Sequence, residues 1–274
     1  MGILAGCNFA VFTTDVNQHK LQSIMKTINK TLLRQISIIA LIAITFNSCE
    51  KDNENRINNT NDKTTAVFNP NLTYGTMTDQ DGNIYKTIHI NGQTWMAENL
   101  RTTKYRNGDA IPQITDNTTW ASLTTGAFCN YKNTENIDTI ASYGRLYNWF
   151  SISDSRKLAP LGWHVATNTD WHLLINLLNG DGIAGTKLKE ISNLHWYRTN
   201  KNATNESGLT ILPSGLRDPS IGNFCCMGSK GILWSSTQAD DSYAWIISVD
   251  NYSNNCNRIS NHMKYGYAIR CVKD

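Results

Sequence analysis

The sequence predicts a domain of the α+β class, because helical patterns come early in the folded body and antiparallel strand patterns come late. Two helices are predicted, over 142–152 and 168–178. From Thr210 onward the chain has short β-rich runs separated by Gly, Asn, Asp and Ser, residues that favour turns. Its 274 residues are enough for one large or two small domains, and a hydrophobic content of 40% is enough for a core.

A β-hairpin is predicted at the start of the folded body. Asp79–Asn83 favours a turn, Ile84–Ile90 a strand, and Asn91-Gly92 a tight turn before the returning strand Gln93–Met96. The Asp-x-Asp-Gly-Asn pattern is also found in calcium loops. Such a loop needs a glutamate eleven positions after Asp79, where this chain has isoleucine. We therefore predict a turn.

The two predicted helices rest on the spacing of their apolar residues. In the first, the spaced residues are Tyr143, Leu146, Tyr147, Trp149 and Phe150. In the second they are Trp171, Leu174, Ile175 and Leu178, which predict a buried stripe. For this second helix, Thr167 or Asn168 is placed to cap the start, Asp170 suits the first turn, and Gly180 ends it.

The late strands are predicted over Ile232–Thr237, Tyr243–Val249 and Tyr265–Val272. In the middle run, larger side chains alternate with smaller or polar ones, although Ile246 interrupts the alternation. Antiparallel strands with one solvent-facing side are typical of such a pattern.

The net charge of +3 is concentrated in the first 48 residues. This segment holds four of the basic side chains and one acidic side chain, so the remainder carries 21 of each sign. A neutral body does not predict a nucleic-acid partner.

Residues 25–48 resemble a bacterial lipoprotein signal peptide. A basic start is followed by a short apolar run over 36–46, which is too short to span a membrane comfortably, and Cys49 is the expected lipidated residue. An ordinary secretory signal or an uncleaved anchor is the alternative. Residues 1–24 precede this complete signal and are interpreted as a start assigned too early. Residues 49–72, very polar at their beginning, predict a flexible tether.

The acidic residues behind Cys49 have two interpretations. They resemble signals that send some lipoproteins to the cell surface, and they also suit a generic solvated linker. With the signal, they predict a cell-envelope, outer-membrane lipoprotein that faces outward and contacts the membrane through its N-terminal lipid.

Ordered motifs over roughly 75–274 resemble the Fibrobacter succinogenes major paralogous domain family, and we assign that domain to 73–274. The motifs are Asp81–Ile88, Gly92–Leu100, Tyr143–Trp149, Pro160–Val165, Lys187–Glu190, His195-Trp196, Ala203–Gly208, Leu212-Pro213, Trp234–Thr237 and Ile269–Val272. The resemblance implies a C-type-lectin-like α+β fold on secreted or surface bacterial lipoproteins, without an established activity.

One departure from the family concerns a cysteine. Where the family reads Cys-Pro-x-Gly-Trp, this chain has Ala159, so the usual partner of Cys271 is missing. Five cysteines remain in the body, an odd number in a disulfide-permissive compartment. We hypothesise that Cys225 or Cys226 pairs with Cys256, and that Cys271 is free or joined to Cys129.

No catalytic or metal-binding motif is present in the sequence. His-Glu-x-x-His and Gly-x-Ser-x-Gly are absent, and in Gly180–Lys187 the Thr-Lys order is the reverse of a phosphate-binding loop. We therefore predict no catalytic residues and no cofactor. His164 and His195 are interpreted as packed aromatic residues.

Charged, amide and aromatic residues in the late loops are the candidate ligand-binding set. They are Arg217, Asp218, Asp240, Asp241, Tyr243, Trp245, Tyr252, Asn254, Asn255 and Arg258. Aromatic faces suit sugar C–H groups, and amides or carboxylates suit hydroxyls. Asp240, Asp241, Asn254 and Asn255 would supply oxygen ligands if calcium were used. The same residue types also dominate ordinary turns.

These observations predict a non-enzymatic, surface-tethered binding or adhesion module for extracellular glycans or proteins. Two alternatives stay open. One is an enzyme on a scaffold related to the formylglycine-generating enzymes, whose chemistry relies on specific cysteines. The other is a purely structural envelope component.

Overall fold

The structure, a computed structural model, describes residues 59–197, 200 and 202–274. The predicted early start at 1–24, the signal segment 25–48, Cys49 and the first part of the tether lie outside the described residues. In the described part of the chain, no helix combines the length and apolarity needed to cross a membrane.

The predicted α+β class is confirmed over these residues. The helices are α1 (Asn117–Ser122), α2 (Ile137–Tyr143), α3 (Trp149–Ser153), α4 (Asn168–Leu177) and α5 (Asp181–Leu188). The strands are β1 (Gly75–Thr78), β2 (Ile84–Ile90), β3 (Gln93–Met96), β4 (Phe128–Cys129), β5 (Leu146–Tyr147), β6 (Trp163–Val165), β7 (Ser214–Arg217), β8 (Phe224–Met227), β9 (Lys230–Gln238), β10 (Tyr243–Asp250), β11 (Cys256–His262) and β12 (Cys271–Lys273). A short 3₁₀-helix covers Tyr131–Asn133.

The first sheet joins the two ends of the described chain. Its five antiparallel strands have the order β1-β2-β3-β12-β6. The predicted hairpin of β2 and β3 is confirmed, and Asn91 and Gly92 adopt the positive φ that its tight turn requires. Strand β12 then pairs Val272 with Trp95 and Cys271 with Val165. The C-terminal strand therefore completes a sheet begun by the first three strands.

A second antiparallel sheet, in the order β11-β10-β9, contains two of the predicted late strands. Strands β9 and β10 are buried on both sides. Trp234 and Ile246 belong to one core cluster, whereas Leu233 and Ile247 belong to another. Burial on both sides explains why Ile246 interrupts the alternation, because both faces of β10 need apolar side chains. The other edge strand, β11, keeps mostly exposed or half-buried residues.

Helix α4 is confirmed with the predicted cap. The Thr167 hydroxyl accepts a hydrogen bond from the Asp170 N–H at 3.1 Å, and the Asp170 carboxylate accepts one from the Thr167 N–H at 2.8 Å. This reciprocal arrangement is a capping box. The predicted stripe from Trp171 to Leu178 is buried. The capping residues and the apolar stripe both indicate the helix that the packing requires, so the sequence alone predicts α4 correctly.

The predicted helix over 142–152 is wrong. Helix α2 ends at Tyr143, and Gly144 follows with φ of 72°. A Cβ at Gly144 would lie 2.6 Å from the Cβ of Asn99, so the chain must turn there with a glycine. The next residues form β5, which pairs with β4, before α3 begins at Trp149. The pairing of β5 with β4 therefore determines the structure here, although the apolar residues have helical spacing.

The remaining predictions near the C-terminus are confirmed only in part. Of the strand predicted over Tyr265–Val272, regular pairing within a strand begins only at Cys271, whereas Gly266, Tyr267 and Ala268 make isolated bridges to separate segments. Helix α5 spans Asp181–Leu188, where the sequence argues against a phosphate-binding loop and predicts no helix.

The predicted flexible tether over 49–72 is wrong for residues 59–72, because the body holds this stretch through hydrogen bonds. Arg101 Nε donates to the Thr60 hydroxyl at 2.6 Å. The Val67 N–H donates to the Glu190 carboxylate at 2.7 Å. Asn69 Nδ2 donates to the Asn205 carbonyl at 3.0 Å. Within the described residues, the folded body therefore includes 59–72 rather than starting near residue 73.

Candidate functional site

The structure divides the predicted ligand-binding residues between the two ends of the β10–β11 hairpin. Tyr243 lies at the start of β10, opposite His262. Tyr252, Asn254 and Asn255 lie in the loop that joins the two strands. At about 3.3 Å per residue, the ends of the eight-residue β10 lie about 23 Å apart. The predicted set therefore does not form one site.

At the first end, four side chains form what we call the Tyr243 patch: Asp218, Tyr243, His262 and Tyr265. The Tyr243 and His262 rings meet edge to face with centroids 5.6 Å apart. The Tyr265 N–H donates to the His262 carbonyl at 3.0 Å. Tyr243 is 41% exposed, so its ring is available to solvent. The patch combines residues from a turn after β7, from β10 and from the end of β11.

Tyr265 connects the aromatic side of the patch to its carboxylate. Burial raises the pKa of Tyr265, and the charge of Asp218 and a hydrogen bond with it raise that pKa further. The phenol therefore stays protonated and donates to the carboxylate. The Tyr265 ring stacks on Tyr267 at 5.3 Å with an interplanar angle of 3°. Tyr267 is buried and its hydroxyl accepts from Asn261 Nδ2 at 2.7 Å. The patch thus rests on the core.

The turn between β9 and β10 borders this patch. Asp240 Oδ1 accepts hydrogen bonds from the N–H groups of Ser242 at 2.8 Å and Tyr243 at 2.9 Å. Asp240 therefore shapes the turn that presents Tyr243. Asp241 is exposed in the same turn. Trp245, two residues further along β10, is half-buried and pairs with Ser260.

Arg217 is wrong as a ligand-binding candidate, because its side chain is fully buried. Its Nε donates to the Gly222 carbonyl and its Nη2 to the Thr115 carbonyl, each at 2.9 Å. The guanidinium also lies 4.6 Å from the Trp120 ring centroid and 4.9 Å from that of Phe224. These contacts join the β7–β8 hairpin to the segment before α1, so Arg217 has a structural role.

At the other end of the hairpin, the candidate residues contact α5 and its surroundings. Arg258 Nε lies 3.7 Å from the Asp181 carboxylate in α5. The Asn254 side-chain oxygen accepts from Asn202 Nδ2 at 3.2 Å. Asn255 donates its N–H to the Ser253 hydroxyl at 3.2 Å. Tyr252 is 64% exposed. Arg258 and Asn254 are therefore tied to neighbouring segments, whereas Asn255 supports its own loop.

The predicted calcium oxygen set is wrong. Asp240 and Asp241 lie at one end of the β10–β11 hairpin, and Asn254 and Asn255 lie at the other, too far apart to share an ion. Across the described residues, no group of three or more His, Cys, Asp or Glu side chains is arranged to hold a metal ion.

The predicted bond of Cys225 or Cys226 to Cys256 is wrong, whereas Cys271 is free, which was one of its two predicted states. Cys225 and Cys226 are bonded to each other. Cys129, Cys256 and Cys271 are buried free thiols that belong to three different core clusters. Burial raises the pKa of the Cys129 thiol to about 12 and raises the pKa of the other two as well. These thiols are therefore protonated near neutral pH and are poor nucleophiles.

A buried polar cluster around His195 was missed by sequence analysis. Its Nδ1 lies 2.9 Å from both Glu190 carboxylate oxygens, and its Nε2 lies 2.9 Å from the Thr65 hydroxyl. The Thr65 hydroxyl in turn lies 2.8 Å from that of Ser142. Glu190 is fully buried and also holds Val67. The cluster therefore fastens the segment 59–72 to the body. No spacing in the sequence marks it, because its members are up to 130 residues apart.

Together, the sheets and the Tyr243 patch define an α+β domain with an exposed aromatic and carboxylate surface. The chain belongs to the Fibrobacter succinogenes major domain family, whose model matches residues 88–273. The match begins within β2 and ends in β12, so β1 and the segment 59–72 extend the fold beyond it. No curated protein and no solved structure matched the chain.

Proposed function

We propose that this protein is a non-enzymatic binding or adhesion module on the outer face of the bacterial cell envelope, and that it recognises glycans through the Tyr243 patch. The proposed anchor is a lipid on Cys49 in the outer membrane, with the residues before Asn59 as the tether. The proposed C-type-lectin-like arrangement is supported by family membership, by the α+β class and by the antiparallel sheets.

The observation that carries the proposal is an exposed tyrosine ring beside a fixed carboxylate. A sugar ring has an apolar C–H face that packs on an aromatic ring, and hydroxyls that donate to carboxylates. Tyr243 supplies the ring, Asp218 the acceptor, and His262 a further polar group at the edge. The stacked Tyr265 fixes the carboxylate, so little side-chain entropy is lost on binding.

The state of the thiols favours binding over the alternative of a cysteine-dependent enzyme. Cys129, Cys256 and Cys271 are buried in separate clusters and have raised thiol pKa values. Cysteine chemistry at one site would need at least one accessible thiolate. The geometry therefore supports a binding surface better than a thiol-based active site.

A glycan array with the full chain in detergent tests the proposed ligand class. We expect Tyr243→Ala to weaken binding at least tenfold, which corresponds to about 1.4 kcal/mol. Tyr252→Ala is the matched control, because Tyr252 is also exposed but lies at the opposite end of the hairpin. Binding should survive EDTA. Equal binding by the wild type and Tyr243→Ala, or loss only in Tyr252→Ala, would refute the site.

The proposed anchor has its own test. Intact mass of the protein purified from its native envelope should show a chain that begins at Cys49 and carries acyl groups. Cys49→Ser should lack the acyl mass and leave the membrane fraction. A wild-type chain without lipid would refute the anchor and leave the glycan test unaffected.

A further inference from the structure

A cleft of about 400 Å³ opens beside β6, away from the residues of the Tyr243 patch. Ile152, Leu158 and Trp163 give it an apolar wall, whereas Lys157, His164 and Asp274 contribute polar side chains to its lining. The volume lies within the range of small-molecule sites, toward its lower end. The cleft therefore suits a ligand of one or two rings.

Two cationic residues, Arg106 and Lys157, line this cleft. Arg106 donates from Nε to the Ala159 carbonyl at 2.9 Å and from Nη2 to the Trp163 carbonyl at 2.8 Å. Its hydrogen-bond partners are main-chain carbonyls, and no carboxylate among the described residues forms an ion pair with it. The Arg106 N–H also donates to the Lys157 carbonyl at 2.8 Å, which keeps the two cationic residues together.

The backbone of Lys157 is fixed in an uncommon conformation. Its φ is 62°, in the left-handed region that disfavours residues with a Cβ. Its N–H donates to the Asp154 carbonyl at 2.9 Å. Hydrogen bonds at both its N–H and its carbonyl therefore fix the backbone of this exposed, cleft-lining lysine.

The polar groups at β6 offer a different chemistry. His164 Nδ1 lies 2.7 Å from Asp274 Oδ1, and Nε2 lies 3.1 Å from Asp170 Oδ2. Asp274 is anchored by a hydrogen bond from its N–H to the Gly162 carbonyl at 3.0 Å. A carboxylate so placed repels an anion and accepts hydrogen bonds from hydroxyls.

We propose that this cleft binds a hydroxylated carboxylic acid of monosaccharide size, such as a uronic acid. The ligand carboxylate pairs with Arg106 and Lys157, and ligand hydroxyls donate to Asp274. The C–H face of the ring packs on Ile152 and Trp163. Each group of the ligand then has a partner of complementary chemistry, and the site shares no residue with the Tyr243 patch.

Isothermal titration calorimetry with the full chain tests the proposal, using galacturonate as the probe. Galactose is the matched neutral sugar, and acetate is the matched acid without a sugar ring. We expect a Kd of about 1 mM for galacturonate and at least tenfold weaker binding of the other two. Raising the salt concentration should weaken galacturonate binding, because the paired charges are screened. Binding of galactose or acetate as tight as that of galacturonate would overturn the proposal, as would no binding of galacturonate.

Variants locate the binding. Lys157→Gln should weaken galacturonate binding about tenfold, and Ile152→Trp should block it by filling the cleft. Lys132→Gln is the control, because Lys132 is also exposed and also has a positive φ, of 51°. Tyr243→Ala should leave galacturonate binding intact, which separates this site from the proposed glycan surface. Equal affinity in the wild type and Lys157→Gln would overturn the placement of the carboxylate.

Discussion

Replacing Ala159 with cysteine should create a disulfide with Cys271 and stabilise the protein. Ala159 stands where the family's cysteine is expected, and both residues are buried in the same core cluster. Arg106 links their surroundings, since it donates to the Ala159 carbonyl and its charge also acts on the Cys271 thiol. A bond between the two positions would therefore lie within one core cluster.

The expected magnitude follows from the loop that the bond would close. Ala159 and Cys271 are about 110 residues apart. Closing a loop of about 100 residues lowers the entropy of the unfolded chain by an amount worth about 4.7 kcal/mol. Because cross-links often stabilise less than this model predicts, we expect a gain of about 2–4 kcal/mol in the free energy of unfolding.

The timing of bond formation should depend on burial. Burial raises the pKa of the Cys271 thiol, so the folded protein contains very little of its thiolate, which is the reactive form. Oxidant added to folded Ala159→Cys should therefore react slowly. Refolding the same variant in a glutathione redox buffer should form the bond, because the thiol is exposed in the unfolded chain.

Non-reducing peptide mapping and urea unfolding test this reasoning. The Ala159→Cys variant refolded under oxidising conditions should yield a cross-linked peptide that contains residues 159 and 271, and its urea midpoint should fall on reduction. Ala159→Ser is the control for the added polar group. Absence of the cross-linked peptide, or equal midpoints of the oxidised and reduced variant, would show that the two positions are not matched.

Two further predictions concern stability. Gly185→Ala should lower the free energy of unfolding by about 1–3 kcal/mol, because the new Cβ would overlap the backbone oxygen of Asn255. Gly182→Ala in the same helix meets open space and should raise the free energy of unfolding by up to about 1 kcal/mol. Urea unfolding of both variants tests these two expectations. Burial lowers the pKa of Lys189 to about 8, against 10.5 for an ordinary lysine, so the unfolded state holds more protons between these values and stability should rise with pH there. Urea unfolding between pH 7.5 and 10.5 should therefore show wild type gaining stability relative to Lys189→Met, and a constant difference would contradict the assignment.

Local signals explain which parts of the fold could be predicted from the sequence. The sequence predicts helix α4 and its cap because Thr167 and Asp170 interact within one turn, and because the apolar residues of the helix recur at helical spacing throughout. The segment 142–152 also has helical spacing, yet it forms a helix end, a strand and a short helix. Its course is set by β5 pairing with β4 and by Gly144 packing on Asn99, contacts that depend on distant parts of the chain.

The candidate site was predicted only where its residues are unusual in their own segment. Tyr243 and Asp218 were found as an aromatic residue and a charge beside turns, but His262 and Tyr265 were missed. Their role depends on a meeting of β10 with the end of β11, which residue composition does not reveal. The cysteine pairing failed for the same reason: nothing in the sequence spacing distinguishes a bond between Cys225 and its neighbour from one to a distant strand.

Buried arginines explain how a fold with long irregular connections can still hold a defined surface. Main-chain carbonyls outside helices and strands need donors when they are buried, and a guanidinium offers five. Arg270 donates to the carbonyls of Leu209 and Thr210 at 2.8 and 3.3 Å. Arg217 does the same for segments beside the Tyr243 patch, and Asp218 follows it directly in the chain. Arg217, which the sequence suggested as a ligand-binding residue, therefore supports the proposed site without lining it. By fixing the β7–β8 turn, Arg217 holds the Asp218 carboxylate that the proposed glycan would meet.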